Sequence, residues 1–191
     1  WYVLVSSLSD PQLVKEGTFK LLPTGFSLDA YKIVLRDARF FKGFEITALR
    51  TVIGTALALA VQTMMAYALS RHMPGRGIIK RLVVITILFS GGIIPTYLVI
   101  QGLNLLDSFW ALVLPMVFNP WNVLLLISFF ESIPDAIEES AKLDGAGDFK
   151  IFLRLAVPLS IPAIATILLF IAVRHWNELM DGVIYIHSSH L

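Results

Sequence analysis

Long runs of apolar residues, separated by polar segments, organise this chain. Four of these runs come close to the ~20 residues that a helix needs to cross the hydrocarbon core of a bilayer. They follow a short apolar stretch at the start of the chain, and we predict one spanning helix in each. The predicted spans are residues 51–69, entered from about Phe44; 82–100; 110–130; and 158–173, with continuation to Trp176.

The polar segments between these runs differ in length and charge. Residues 9–43 are a long polar stretch with proline and glycine, typical of an exposed loop that carries one short surface helix. Residues 71–81 are short and basic, whereas residues 101–109 are short and contain no Lys or Arg. Residues 131–157 are long and polar, and their pattern indicates a structured loop.

Lys and Arg in the loops give a weak indication of orientation. The two sides of the predicted bundle carry seven each, so their number alone does not show which loops face the cytoplasm. The denser group, in residues 71–81 and 131–157, favours the cytoplasm for those two loops.

Small residues in the first run recur four positions apart, Gly54 with Ala58 and Ala56 with Ala60. This spacing puts each pair on one helix face, where small side chains let a second helix approach closely in lipid. The general abundance of alanine in such helices explains the pattern equally well.

Composition agrees with a membrane protein. The 191 residues are 57% hydrophobic and 15% charged, against about 45–50% apolar and ~25% charged residues in soluble domains. The formal net charge of +1 gives no case for nucleic-acid binding, and the lack of cysteine excludes disulfides, thiol catalysis and Cys-ligated metals. Because the chain begins at Trp1, inside an apolar stretch, we expect it to be a fragment.

The loop at 131–157 opens with an acidic stretch that has helical signals. Residues 132–143 are predicted to form a short helix, with Ser132 and Asp135 three residues apart as a capping box. Glu138 and Lys142 are four residues apart, in the order that favours an ion pair along one helix face.

A glycine turn is predicted to separate this helix from a second one. Gly145 supplies the positive φ that ends many helices, and Asp148 is predicted to cap an amphipathic helix that Pro158 closes where the fourth span starts. The loop has the size of a docking element, although a well-capped interfacial linker explains it about as well. Acids such as Asp135 and Glu139 favour docking to a protein, because helices that lie on membranes usually carry Lys and Arg.

The sequence from Glu139 to Pro162, ESAKLDGAGDFKIFLRLAVPLSIP, resembles the EAA motif of ABC-importer permeases. The residues that match the motif are Glu139, Ser140 and Ala141 for Glu-Ala-Ala; Asp144, Gly145 and Ala146 for Asp-Gly-Ala; Phe152 for the downstream aromatic; and Pro158, Leu159 and Pro162 for Pro-Leu-x-x-Pro. Ser140 replaces the usual alanine of the family. The resemblance covers nearly the whole chain, and residues 89–115 and 175–186 are most similar to the branch that imports oligosaccharides or polysaccharides.

The resemblance implies an all-α integral membrane bundle with about six transmembrane helices in the full chain, truncated here at both ends. Residues 1–191 would be a single permease domain in the cytoplasmic membrane of a bacterium, with 131–157 as its cytoplasmic coupling loop. In this family the EAA helix docks on a separate ATP-binding subunit, whose closure rocks the bundle between inward-open and outward-open states. The implied coupling residues are Glu139, Ser140, Ala141, Asp144, Gly145 and Ala146.

The resemblance also implies the partners. They are a second, similar permease subunit, two ATP-binding subunits, an extracytoplasmic solute-binding protein and an oligosaccharide as the solute. The residues themselves support one part of this division, because no G-x4-G-K-[ST] phosphate loop occurs in the chain. We therefore expect no cofactor, metal or catalytic residue in this chain, and we expect the partner subunits to hydrolyse ATP.

Polar residues inside the predicted spans are candidates for a solute pathway, because polar groups at bilayer depth are costly. Pro120 interrupts the third span, and Gly91 and Gly92 loosen the second; interrupted backbone is tolerated where it lines a cavity. Amides and aromatic rings suit the hydroxyls and apolar faces of sugars. Each candidate also has a structural explanation, such as a membrane-interface anchor or a hydrogen bond to a neighbouring helix. The candidates are Asn119, Trp121, Asn122, His175, Trp176 and Asn177.

Three other functions stay open at this point. An importer of a non-sugar solute, such as a polyol, would share these features. An integral-membrane enzyme would need clustered acid, base or metal groups, and residues 51–100 and 110–130 contain no Asp or Glu. His187 and His190 lack a H-E-x-x-H setting and are expected in an exposed loop. A passive assembly subunit would need no structured acidic loop.

Overall fold

A computed structural model of the chain describes residues 1–10, 14, 22, 25–89 and 91–187. Helices are the regular elements throughout this described part, which confirms the all-α class. Parts of the predicted 9–43 loop, together with His190, lie outside the described residues. The helices are α1 Tyr2–Ser7, α2 Asp29–Arg36, α3 Ala38–Ser70, α4 Arg76–Leu88, α5 Ile93–Gly102, α6 Phe109–Val113, α7 Pro120–Glu131, α8 Asp135–Leu143, α9 Asp148–Ile151, α10 Val157–Leu159, α11 Ile161–Asn177 and α12 Met180–Tyr185.

The chain divides into two compact units, Trp1–Ile46 and Thr47–Leu191. In the first unit, the Ser7 hydroxyl and the Tyr31 hydroxyl share a hydrogen bond of 2.9 Å that joins α1 to α2. Helix α2 is the short surface helix expected in this region, since none of its residues is buried. The second unit contains both regions that are candidates for function.

Helix α3 is the first predicted span, but it begins earlier than expected. Among the described helices, it alone is long and apolar enough to cross a membrane by itself. The predicted entry near Phe44 is wrong, because the helix already starts at Ala38. Asp37 explains the earlier start: its carboxylate accepts a 2.9 Å hydrogen bond from the Arg39 backbone N–H, as an N-cap residue does.

The second and third predicted spans are not continuous helices. The second consists of α4 and α5, and Gly92, which precedes α5, has a φ of +79° that other residues rarely adopt. The third consists of α6, extended by a 3₁₀ turn at Leu114–Met116, and α7, with a bend of 49° between them. Pro120 starts α7 because a first-turn residue needs no backbone N–H donor. Each pair together is long and apolar enough to form one broken span.

The fourth predicted span does not begin at Pro158. The helix from α9 continues through a π-helical turn, Phe152–Ala156, into α10, and the chain then bends by 83° before α11. In the π turn, the Val157 N–H bonds to the carbonyl of Phe152, five residues earlier. This wider hydrogen bonding accommodates Pro158, which lacks an N–H and would crowd an α-helical turn before it.

Helix α7 lies at the centre of the second unit. Its side chains Val123, Leu126 and Phe130 are fully buried in one continuous apolar cluster. Helix α3 contributes Ala58, Ala66 and Tyr67, α11 contributes Ile167 and Ile171, and the π turn contributes Phe152. The opposite side of α7 is also apolar but exposed, with Trp121 at 61% and Phe129 at 50%.

Small residues on α3 allow one particularly close helix contact. Gly54 and Ala58 are both buried, whereas Ala56 and Ala60 are exposed. A methyl group at Gly54 would lie 2.5 Å from Cε1 of His175 on α11, which is closer than van der Waals contact allows. The structure shows such a contact at Gly54, against the His175 side chain, whereas Ala58 is buried in the apolar cluster.

We expect Gly54→Ala to destabilise the protein by about 1–3 kcal/mol, because the added methyl group overpacks a site where His175 is fully buried. The measurement is the Tm of the full-length protein in detergent. Gly77→Ala is the matched control, since nothing lies within 4 Å of its added methyl group. It should leave the Tm unchanged or raise it, and an equal fall in both variants would contradict the packing argument.

Candidate functional site

Helix α8 carries the acidic stretch of the predicted coupling loop. It begins at Asp135, and the predicted capping box with Ser132 is wrong. The Ser132 hydroxyl instead donates a 2.7 Å hydrogen bond to the Phe129 carbonyl, in the last turn of α7. Pro134 lies between the two helices in an extended conformation, with ψ of 132°, so the new helix can start only after it.

Glu138 is the one buried acid of α8, with an exposed fraction of 7%. Its carboxylate forms an ion pair with Arg71, which follows the end of α3. The predicted pair between Glu138 and Lys142 is therefore wrong. Lys142 pairs at 3.2 Å with Asp148, and both of those side chains are largely exposed. Residues 71 and 138 are far apart in sequence, so helix spacing alone could not indicate their pairing.

Arg71 joins three elements at this point. Its guanidinium donates a 3.3 Å hydrogen bond to the Phe130 carbonyl at the end of α7 and lies 3.6 Å from the Asp135 carboxylate. It also lies over the Tyr67 ring, 5.1 Å from its centroid. The Tyr67 hydroxyl donates to Glu138 over 3.4 Å. We call Tyr67, Arg71 and Glu138 the anchor, because together they fix α8 to the ends of α3 and α7.

Aromatic packing supports the anchor from the apolar side. The Tyr67 ring contacts Phe130 edge to face, with centroids 5.6 Å apart, and Phe152 of the π turn at 5.1 Å. Such contacts contribute about 0.5–1.5 kcal/mol beyond simple burial. The second helix of the loop is thereby held to the same tyrosine as the first.

The turn between α8 and α9 has the predicted glycine geometry. Gly145 has a φ of +78°, its N–H bonds to the Lys142 carbonyl at 3.0 Å, and the Ala146 N–H bonds to the Ala141 carbonyl at 2.9 Å. These two bonds define a Schellman motif. The predicted cap by Asp148 is wrong, because Gly147 occupies the cap position and no side chain bonds there.

The predicted coupling residues lie mostly on the outer surface of the loop. Glu139, Ser140, Asp144 and Gly145 are exposed, and Ala141 and Ala146 are half-buried. Two large apolar residues accompany them, Leu143, which is 89% exposed, and Phe149, which is 68% exposed. Exposed apolar side chains beside exposed acids suit a surface that contacts a protein partner.

The structure brings three of the six solute-pathway candidates together. Asn119, Asn122 and His175 line one cavity of about 120 Å³ inside the second unit. Asn119 also caps α7, since its side-chain oxygen accepts from the N–H groups of Trp121 and Asn122. The rest of the cavity lining is Gln62, Met116, Phe170, Ile171 and Arg174.

The other three candidates do not line this cavity. Trp121 and Trp176 are 61% and 48% exposed, and the Asn177 amide donates to the Val173 carbonyl of its own helix. Among the described residues, no group of three or more His, Asp or Glu could hold a metal ion. His187 donates its backbone N–H to the Asp107 carboxylate at 2.6 Å.

Sequence reasoning missed the polar residues that α3 contributes to the interior. Arg50 and Gln62 are 4% and 0% exposed, although both are polar residues on an apolar helix. Each lies four residues from a buried small residue, Arg50 from Gly54 and Gln62 from Ala58. That register was the available signal, because residues four apart lie on one helix face.

Comparison with known proteins gives the family and several relatives. Residues 51–182 match the family described as the inner membrane component of binding-protein-dependent transport systems. The polygalacturonan/rhamnogalacturonan transport system permease protein YtcP of Bacillus subtilis (strain 168) is 46% identical over 98% of this chain and 66% of its own length. Protein LplC of the same organism is 43% identical over 98% of this chain and 64% of its own length. The chain thus spans about two thirds of each relative.

A solved structure shows the same fold. It is a chain of a bacterial ABC transporter involved in the import of the acidic polysaccharide alginate, and it superposes with a TM-score of 0.90 at 33% sequence identity. The match covers 98% of this chain and 67% of that chain.

We expect Glu138→Gln to loosen α8, because it removes the charge that Arg71 pairs with at a buried position. The loss of a hydrogen bond to a charged group costs about 1.5–3 kcal/mol, so hydrogen exchange of the α8 amides should accelerate roughly 10-fold or more. Asp148→Asn is the control, since its exposed pair with Lys142 contributes little. Equal exchange in both variants would show that the anchor does not hold α8.

Proposed function

This chain belongs to the family of inner membrane components of binding-protein-dependent transport systems, and we propose that it is the permease subunit of an ATP-driven importer of oligosaccharides. The observation that carries the proposal is the geometry of α8. The anchor holds one side of this helix to α3 and α7, while the other side presents an exposed acidic and apolar surface. A linker would need neither feature.

The proposed partner at that surface is a separate ATP-binding subunit. Leu143 and Phe149 offer apolar contacts, and Glu139 and Asp144 offer carboxylates for basic groups of the partner. A force applied there would reach α3 and α7 through the anchor, because Arg71 contacts both. Two ATP-binding subunits, a second permease subunit and an extracytoplasmic solute-binding protein would complete the transporter. ATP hydrolysis would take place in the partners, and this chain would bind no cofactor.

The proposed location is the cytoplasmic membrane of a bacterium, with several membrane crossings. Four spans are available if each bent helix pair is one crossing. The loop that contains α8 would then face the cytoplasm, where ATP is present. Many large apolar side chains on α4 and α11 are exposed, as lipid-facing or permease-facing surfaces require.

The proposed solute class rests on the relatives and on the interior cavity. YtcP is described as a permease for polygalacturonan and rhamnogalacturonan, and the solved transporter is described as importing alginate. The cavity supplies amide groups from Asn122 and Gln62, which can bond to sugar hydroxyls. Asn122 lies in the first turn of α7, and the Gln62 side chain donates to the Val117 carbonyl at the break between α6 and α7. Irregular backbone of this kind is tolerated beside a cavity.

A cysteine crosslink tests the coupling role. These 191 residues contain no cysteine, so Leu143→Cys introduces one thiol at a site that is 89% exposed. In the full-length protein co-expressed with its ATP-binding subunit, we expect crosslinking to a cysteine in the groove of that subunit, with a yield that changes on adding ATP. Leu179→Cys, 70% exposed just after α11, is the control and should give no crosslink. Absence of a crosslink from correctly inserted Leu143→Cys would mean that the loop is a linker.

Two asparagines test the solute pathway. Asn122→Ala removes a buried amide from the cavity, and Asn177→Ala removes an exposed amide that bonds only within its own helix. We expect the first variant to lower uptake of labelled oligogalacturonides about 3- to 10-fold, as the loss of one neutral hydrogen bond does. The second should change uptake less than 2-fold. Equal uptake by both variants and wild type would exclude Asn122 from the pathway.

A further inference from the structure

Helix α2 of the first unit has an apolar face and a polar face. Its apolar residues recur at intervals of three and four, which puts them on one side of the helix. The apolar face consists of Ala30, Tyr31, Val34 and Leu35, and the opposite face consists of Asp29, Lys32 and Arg36, with Ile33 at its edge. No residue of α2 is buried, and Val34 and Leu35 are 43% and 56% exposed. The described residues therefore leave the apolar face uncovered.

All four residues of this face line a groove of about 470 Å³. The other lining residues are Val3, Leu4 and Ser7 of α1 and Phe40 of α3. The hydroxyls of Ser7 and Tyr31, which are the polar groups among these side chains, bond to each other at 2.9 Å. The rest of the lining is apolar surface, which favours contact with hydrocarbon over contact with water or a polar ligand.

The connection to α3 places α2 at the membrane surface. One residue, Asp37, separates the end of α2 from the start of α3 at Ala38. The 33 residues of α3 extend over ~50 Å at 1.5 Å per residue, which exceeds the ~40–45 Å thickness of a bilayer with its headgroup regions. A helix of that length that crosses the membrane reaches both surfaces, so α2 lies next to one of them.

The residues at the start of α3 agree with this depth. Arg39, Lys42 and Glu45 lie in the first turns of the helix and are exposed. Phe41 and Phe44 beside them are 52% and 53% exposed. Basic and aromatic residues side by side suit the boundary between headgroups and acyl chains, because long basic side chains reach the headgroups while rings contact the chains.

The polar face of α2 carries charges that suit the same location. Helices that lie on membranes usually have Lys and Arg opposite their apolar face, and α2 has Lys32 and Arg36 there. Helix α8 differs, since the exposed acids Asp135 and Glu139 lie on it. A protein partner suits the charges of α8, whereas a lipid surface suits those of α2.

We propose that α2 is an interfacial helix, with its apolar face and the groove beside it in contact with lipid acyl chains and with Lys32 and Arg36 among the headgroups. The membrane location of the family is the premise, so the proposal is independent of the solute and of the ATP-binding partner. With the α8 loop in the cytoplasm, as proposed above, the surface that α2 occupies is the outer one. The helix then holds the segment before α3 against the membrane.

Spin labels test which face of α2 contacts lipid. Val34→Cys and Lys32→Cys place a thiol on opposite faces, and residues 1–191 contain no other cysteine. The labelled full-length protein, with any cysteine outside these residues replaced by serine, is studied in vesicles of phosphatidylethanolamine and phosphatidylglycerol without solute or ATP. Collisions with oxygen report acyl chains, and collisions with a water-soluble nickel chelate report water. We expect the oxygen-to-nickel ratio at residue 34 to exceed that at residue 32 roughly 5-fold or more, because an interfacial helix buries its apolar face ~5–10 Å into the acyl boundary.

Leu35→Cys and Arg36→Cys repeat the comparison at the next two positions and should give the same order of ratios. Frequent nickel collisions at both residue 34 and residue 32 would overturn the proposal, because the apolar face would then lie in water. Few collisions with either reagent at residue 34 would overturn it as well, because a protein segment would then cover the face. Both of these results would leave the importer proposal intact.

Discussion

The buried face of α3 is the constraint on which the second unit depends. This helix runs without a break for 33 residues, and every fourth residue from Arg50 to Ala66 is buried. Gly54 leaves room for the His175 side chain of α11, and the Gln62 side chain reaches the break between α6 and α7. Tyr67, the residue after Ala66, bonds to Glu138 of the loop helix α8. Gln62 lines the interior cavity and Tyr67 bonds to Glu138, so one continuous helix contacts both the cavity and α8.

Breaks in the other helices are tolerated because specific side chains replace the missing backbone bonds. The Gln62 amide donates a 2.7 Å hydrogen bond to the Val117 carbonyl, and Asn119 accepts from two N–H groups at the start of α7. In an apolar environment each unpaired backbone group would cost several kcal/mol. The polar residues beside the cavity therefore stabilise an irregular backbone, and the side-chain oxygen of Gln62 stays without a partner among the described residues.

Adjacent glutamates on α8 have opposite environments. Glu138 is buried against Arg71, whereas Glu139 is exposed on the outer surface. Neighbouring residues on a helix point about 100° apart, so one acid can anchor the helix while the next remains available to a partner. The same division applies to the aromatics of the second helix, where Phe152 packs on Tyr67 and Phe149 remains exposed.

The sequence by itself determined the features that depend only on residues close together in the chain. Apolar runs located the four regions able to span a membrane, the motif around Glu139 indicated the family, and Gly145 marked a turn that only glycine forms without strain. The sequence located the helix ends less well. Ser132 and Asp148 are residue types that often cap helices, but Pro134 and Gly147 occupy the N-cap positions. Such choices depend on how neighbouring helices pack.

Only the tertiary structure decided which distant residues meet. The Arg71–Glu138 pair joins residues 67 positions apart, and the cavity collects residues from α3, α6, α7 and α11. Trp121 and Trp176 are of a residue type suited to sugars, but the rotation of their helices turns both outward. Local sequence fixes the period of a helix, whereas its rotation and its partners follow from burying one face of every helix at once, which is a property of the whole bundle.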